Sequence, residues 1–201
     1  GAKFEPQPSA GELVALAARR RTDVLIVELI HNQNFLMSPN SEKVRGYWAS
    51  LGFLMKTALC DHLQIDPKDI EVGVQSAENF ANTALFLSDT LENGAGYCTW
   101  AFENLEEFLE ICDKDMRTII EDHNAKQIEG CDSSCYQCIR DYQNARWHPL
   151  LDWRSGLDLL DLILEKPLNL AKHNEQIERI LFKVQQELIT SNIQTELDSI
   201  D

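Results

Sequence analysis

The order of apolar and polar positions divides this chain into strands and helices with few ambiguous stretches. Asp23 to Ile30 is almost continuously apolar and includes β-branched Val24, Ile26, Val27 and Ile30, which predicts a strand covered on both faces. Val44, Tyr47, Trp48, Leu51, Leu54, Met55, Ala58 and Leu59 recur at i, i+3 and i+4. That spacing predicts an amphipathic helix of roughly 20 residues, entered at Ser38-Pro39 because proline suits the first helical position. Asp66-Pro67 marks a turn, Ile70, Val72 and Val74 alternate as a short strand, and Thr83 to Ser88 predicts a further buried strand. A second long helix carries Leu105, Phe108, Leu109, Cys112, Met116, Ile119, Ile120 and His123 on one face. Gly156 to Leu164 predicts a helix ended by Pro167, and Ile177, Ile180, Leu181, Val184 and Leu188 mark a last amphipathic helix over 174–188.

Strands and helices that mix in this order predict an α+β fold, a small β-sheet packed by several amphipathic helices. Residues 1–22 read as a lead-in, 23–165 as the domain, and 166–201 as a C-terminal helix and acidic tail.

Charge changes the picture first. The 201 residues hold 18 Lys+Arg against 33 Asp+Glu, a net of −15 with pI near 4.7. Such a balance argues against an autonomous, non-specific binder of duplex DNA, which needs a clustered basic surface. It says nothing about the fold. The acid is concentrated: residues 103–122 carry eight Asp or Glu against two Lys or Arg. Mean hydropathy is −0.29, and no apolar run approaches the length of a membrane span, so no membrane partner is expected and cytoplasm is the expected compartment. A phosphate loop with Gly-Lys-Ser/Thr is missing from the sequence, which argues against ATPase activity in this chain alone.

The six cysteines are 60, 98, 112, 131, 135 and 138, and three of them fall in Cys131-x3-Cys135-x2-Cys138. A Cys-x2-Cys turn lets two thiolates point at one ion, and Cys131 adds a third, so the cluster predicts a zinc knuckle. A structural zinc site closes with four ligands. Local spacing leaves the fourth open among Cys98, Cys112, His123 and His148. Cys98 is favoured, because it follows the Gly94-Ala95-Gly96 turn and helix periodicity does not explain it. Cys112 and His123 lie on an apolar helix stripe, where core packing is the commoner role. Cys60 reads as a small apolar residue at a helix end.

After the knuckle, Arg140, Arg146 and Arg154 are interleaved with Tyr142 and Trp147. Basic residues with aromatics can hold single-stranded nucleic acid. The structural alternative weighs against it, since Arg140 and Arg154 can pair with Asp141 or Asp152 and the tryptophans can be core. Asp89 reads as a turn-capping residue and Asp152 as a helix N-cap. No carboxylate spacing supports nuclease chemistry, so no catalytic residue is expected.

Two segments carry a resemblance. One is Leu85-Phe-Leu-Ser-Asp-Thr-Leu-Glu-Asn-Gly-Ala-Gly-Tyr97. The other is Cys131-Asp-Ser-Ser-Cys-Tyr-Gln-Cys-Ile-Arg-Asp-Tyr142 with His148-Pro-Leu-Leu-Asp-Trp-Arg154. Together they resemble the MrfA zinc-binding (MZB) domain of MrfA-type helicases and of DrmB in the DISARM anti-phage system, and the second segment is more like the DrmB side. The resemblance covers about residues 23–165. It implies a bound zinc ion and a non-catalytic accessory role beside a helicase domain or subunit, with DNA as a further partner and anti-phage defence as the setting. The alternative is a direct DNA-binding module working through Arg140, Arg146 and Arg154. The family pattern has a further cysteine two residues before Cys131; here that position is Glu129. That departure directs the fourth position to Cys98 or His123, and the set favoured is Cys98, Cys131, Cys135 and Cys138.

Overall fold

The computed structural model describes residues 21–28, 40–76, 83–126 and 131–190. Three strands, β1 (Val24–Glu28), β2 (Ile70–Ser76) and β3 (Thr83–Asp89), form an antiparallel sheet in the order β1-β3-β2. β3 is central, and six of its seven residues are buried, as its apolar run predicts. β1 is different. It sits at the edge, and Val24 and Ile26 are 48% and 53% exposed, so the expected two-faced cover of this strand is not found. An edge position explains this: β-branched residues suit the pleat whether or not the outer face is covered. Ile30 lies outside the described residues.

Helix α1 (Glu42–Leu63) crosses the sheet and is the spine of the core, packing on β2, β3 and α5 (Trp153–Ile163). It starts later than the proline signal implied. Ser41 is its N-cap and its side chain accepts a hydrogen bond from Val44 N at 3.4 Å; Ser38 and Pro39 lie outside the described residues. Gly156 allows α5 to lie against α1, because a Cβ there would stand 3.0 Å from the Ser50 backbone. Trp48, Leu51, Leu54, Met55 and Leu59 of α1 meet Leu85 and Leu87 of β3 and Leu157 and Leu160 of α5 in one buried cluster.

From Tyr97 to Lys126 the chain is helical in four joined pieces: α2 (Tyr97–Glu103), α3 (Leu105–Glu110), a π-helical stretch (Ile111–Met116) and α4 (Arg117–Lys126). The π turn widens the helix by a residue, yet Phe108, Cys112, Met116 and Ile120 stay buried. Asp89 caps the start of this run. Its buried carboxylate accepts from the backbone N–H groups of Ala95, Tyr97 and Cys98 at 2.7–3.1 Å, as the turn-capping reading expects. Gly96, at φ 85°, supplies the left-handed residue this turn requires.

Asp152 caps α5, accepting from Arg154 N at 3.0 Å. Helix α6 (Ala171–Thr190) follows, and its residues Ile177, Ile180, Leu181 and Val184 are exposed. The last amphipathic face is therefore not part of this core. No described helix is long and apolar enough to cross a membrane.

Candidate metal centre

The end of α4 and the loop that follows it meet at three ligand atoms. His123, Cys131 and Cys135 have one ligand atom each within 4.8 Å of the others. His123 Nε2 lies 3.1 Å from Cys135 Sγ. It reaches this position because Ile120 and Asn124 of α4 are buried, which turns the intervening face of the helix toward the loop. Cys138 joins from one side, its Sγ 3.9 Å from Cys131 Sγ. The Cys-x2-Cys turn is closed by Cys135 N donating to Cys138 Sγ at 3.0 Å, with Cys138 N returning to Cys135 O at 3.1 Å.

This donor set suits zinc. Zn–S bonds of about 2.3 Å at tetrahedral angles place two sulfurs about 3.8 Å apart, which the Cys131–Cys138 pair already matches. A Zn-bound sulfur and imidazole nitrogen stand about 3.6 Å apart, so His123 needs to shift by a few tenths of an ångström. The thiols are also electrostatically divided. The hydrogen bond from Cys131, with the backbone N–H groups of Cys135 and Ile139, outweighs burial and holds Cys138 down at about 6. Sharing that proton with Cys138, together with burial, pushes Cys131 up. Burial and the neighbouring sulfurs raise Cys135. A cation at the centre would remove this conflict by drawing all three to the thiolate form.

Cys98, the residue favoured from sequence as the fourth ligand, is not brought to this group. It sits at the start of α2 against the sheet, where Asp89 and the Leu25 backbone are its neighbours. Burial, and then the Asp89 carboxylate, push its thiol up, so it stays protonated. The capping of α2 by Asp89 decides the matter, because it fixes the residue after Tyr97 against β1 and β3. Cys112 is fully buried and its thiol is raised by burial, as expected of a core residue; Cys60 is pushed up to about 11 for the same reason. His148 is held elsewhere, its Nε2 2.8 Å from Asn144 Oδ1 and 3.0 Å from Asp141 O. Glu129 lies outside the described residues.

The arginines after the knuckle divide sharply. Arg154, 1% exposed, is an internal organiser. Its guanidinium donates to the carbonyls of Asp132 at 2.8 Å, Lys172 at 3.0 Å and Cys131 at 3.4 Å, and it lies over the Trp153 ring. Burial removes it from any role in contacting DNA. Arg140 donates to Ser134 Oγ at 2.8 Å and His148 O at 3.4 Å, and Ser134 in turn donates to Leu151 O. Arg154 therefore ties the cysteine loop to α5, and Arg140 ties it to the 3₁₀ turn before α5; of the carboxylate pairings that the sequence offered as the alternative, Arg154 makes the one with Asp152, at 3.3 Å. Arg146 alone of the three is exposed. Lys56 of α1 secures the same segment through Asp141 at 3.3 Å.

Comparison with known proteins finds likenesses for this segment. Residues 51–139 match MZB, the MrfA Zn-binding domain. That segment is similar to the MrfA Zn-binding domain. The match takes in α1 from Leu51 onward, the sheet strands β2 and β3, His123 and all three knuckle cysteines, so the family resemblance read from the sequence is borne out over 51–139. The chain is also 28% identical over 172 residues to Druantia protein DruE of Escherichia coli (strain UMEA 4076-1), covering 79% of this chain and 9% of that protein. Two crystal structures of the DUF1998 helicase MrfA, one bound to DNA and one bound to DNA and AMPPNP, are similar at 17% and 14% identity. They cover 61% and 64% of this chain and 15% of each helicase chain, with TM-scores of 0.41 and 0.40. This chain thus spans less than a tenth of DruE.

Proposed function

We propose that this chain is a non-catalytic, zinc-braced accessory domain of a helicase-type DNA-processing protein. The observation that carries the reading is the convergence of His123 with Cys131 and Cys135, with Cys138 beside Cys131, where α4 meets the loop leading to α5. The ion would fasten a loop that has no regular secondary structure to a helix of the main core. No open ligand position is needed, and a closed four-ligand site is structural. The buried polar groups around the centre are engaged in holding the loop, as Arg154 and Arg140 show, which supports a brace over a reaction centre.

The helicase setting is supported by the match of residues 51–139 to the MrfA Zn-binding domain. A DISARM DrmB-like role in phage defence, in the cytoplasm, is the finer reading, and rests on the Asp132-Ser133-Ser134 and Leu150-Leu151-Asp152-Trp153-Arg154 motifs. Within such a protein the domain would brace a helicase domain or subunit.

The test is metal analysis of the purified chain followed by chelation. About one zinc per chain is expected, and its removal should lower the melting temperature. A chain whose melting is unchanged by complete metal removal would sink the bracing role. Cleavage of DNA by the zinc-loaded chain with added Mg²⁺ or Mn²⁺ would sink the non-catalytic one.

A further inference from the structure

We infer that a groove between α1, β2 and the 3₁₀ turn Ala145–Leu150 binds the phosphodiester backbone of single-stranded nucleic acid, with Arg45 and Arg146 as its principal contacts. Two cavities meet at Arg146 and Trp147. One, of about 270 Å³, is lined by Lys56, Lys68, Glu71 and Gln143 among others; the second, of about 460 Å³, is lined by Glu42, Arg45, Val74 and Phe86 among others. Trp147 is the buried floor between them. Its ring is flanked by two guanidinium groups, Arg45 and Arg146, each with Cζ 5.6 Å from the ring centroid. Both arginines are exposed, and among the described residues neither is paired with a carboxylate.

That arrangement differs from a scatter of surface cations. A guanidinium resting on an aromatic ring is partly ordered before any ligand arrives, and its N–H fork stays available for a phosphate. Lys68 adds a third exposed cation, while Glu42 and Glu71 are the carboxylates of the groove, so the exposed charge is +3 − 2 = +1. Lys56 contributes nothing net, because Asp141 neutralises it. The −15 of the whole chain does not cancel this. Charges are screened beyond about 8 Å at physiological salt. The acid-rich π stretch packs on α1 near Ala58 and His62, whereas Lys56 faces the groove, and two residues of helix are about 200° apart around its axis.

The same segment offers surfaces for bases. Tyr142 is 89% exposed and lies 5.2 Å, centroid to centroid, from exposed Tyr136. Tyr142 precedes Gln143 of the groove wall. A cationic channel with adjoining exposed aromatics suits a single strand, whose unpaired bases can stack, better than a duplex. The inference deepens the accessory role and uses different residues from the metal centre, so the two can fail separately.

The test is fluorescence polarisation of a dye-labelled single-stranded oligonucleotide with the zinc-loaded 201-residue chain, at low salt and across a salt series. A matching duplex serves as comparison. Zinc content and melting temperature are measured on every sample. Arg45→Ala with Arg146→Ala should weaken single-strand binding about tenfold or more and lower the magnitude of the salt slope by about two, leaving zinc and melting unchanged. Tyr142→Ala should weaken the single strand and not the duplex. Absent binding by the wild type at low salt, tighter binding of the duplex, or a double variant that binds like the wild type would each overturn the assignment.

Discussion

Two regions of this molecule are held together in different ways. The sheet, α1 and α5 are joined by apolar side chains: Trp48, Leu51, Leu54, Leu85, Leu87 and Leu160 are almost wholly withdrawn from water. Residues 131–154 also send Ile139, Trp147, Leu151 and Trp153 into that core, but the cysteine loop and His123 are joined by directed interactions, namely the sulfur–imidazole cluster, the Arg154 fork and the Ser134, Asn144 and Asp141 hydrogen bonds. Non-directional burial tolerates small errors of position. Directed bonds do not, because a buried polar group left without its partner costs about 1–3 kcal/mol. The difference leads us to expect that the core stands without metal and that the knuckle does not.

Metal removal should separate the two regions most strongly. Structural zinc contributes apparent binding energies of about 10 kcal/mol or more in small domains. After chelation, amide hydrogen exchange should accelerate across 131–152 while β3 and the middle of α1 keep their protection. Uniform acceleration would show that the two regions unfold as one unit.

The core is broken from the other side by Leu54→Ala, at a fully buried position on α1. A loss of about 3–5 kcal/mol in urea denaturation is expected, with zinc stoichiometry of the folded protein retained. Arg154→Ala reverses that pattern. It leaves the carbonyls of Cys131 and Lys172 without this donor and that of Asp132 with Gln176 in its place, so a loss of about 3 kcal/mol should be accompanied by weaker zinc retention in competition with a chromogenic chelator. If Arg154→Ala holds zinc as tightly as the wild type, the arginine is not an organiser of the loop.

The smallest effect expected is at the helix start. Ser41→Ala should cost about 1 kcal/mol in thermal or urea unfolding and leave zinc untouched, since it removes one N-cap bond far from the loop.

Most of the apolar region was legible in the residue pattern. The i, i+3, i+4 stripe of α1 and the runs of β2 and β3 report burial directly, because an apolar face has one main use in a soluble domain. Where it misled, the cause was local. The β-branched run of β1 reads the same in an edge strand as in a covered one. Ser38-Pro39 and Ser41 are both sound start signals, and only tertiary packing chooses between them. In the knuckle, Cys131, Cys135 and Cys138 were legible because their spacing is short enough to fix geometry. His123 was weighed and set behind Cys98, because a histidine on an apolar stripe looks like core and a cysteine after a glycine turn looks free. The hidden fact was that Asp89 anchors that turn to the sheet. Arg154 was equally ambiguous: its neighbour Asp152 and its position on Trp153 pointed inward, but the carbonyls it satisfies lie about twenty residues away in sequence and nothing local announces them. Arg45 gave no signal at all, since its partner Trp147 is distant in the chain.

The central claim is that His123, and not Cys98, completes the ligand set with Cys131, Cys135 and Cys138. The most direct measurement is zinc per chain after dialysis against a mild chelator for the wild type, Cys98→Ala and His123→Ala, with circular dichroism to establish that each is folded. About one zinc should remain in the wild type and in Cys98→Ala, and much less in His123→Ala. Full zinc in folded His123→Ala together with loss in folded Cys98→Ala would contradict the account.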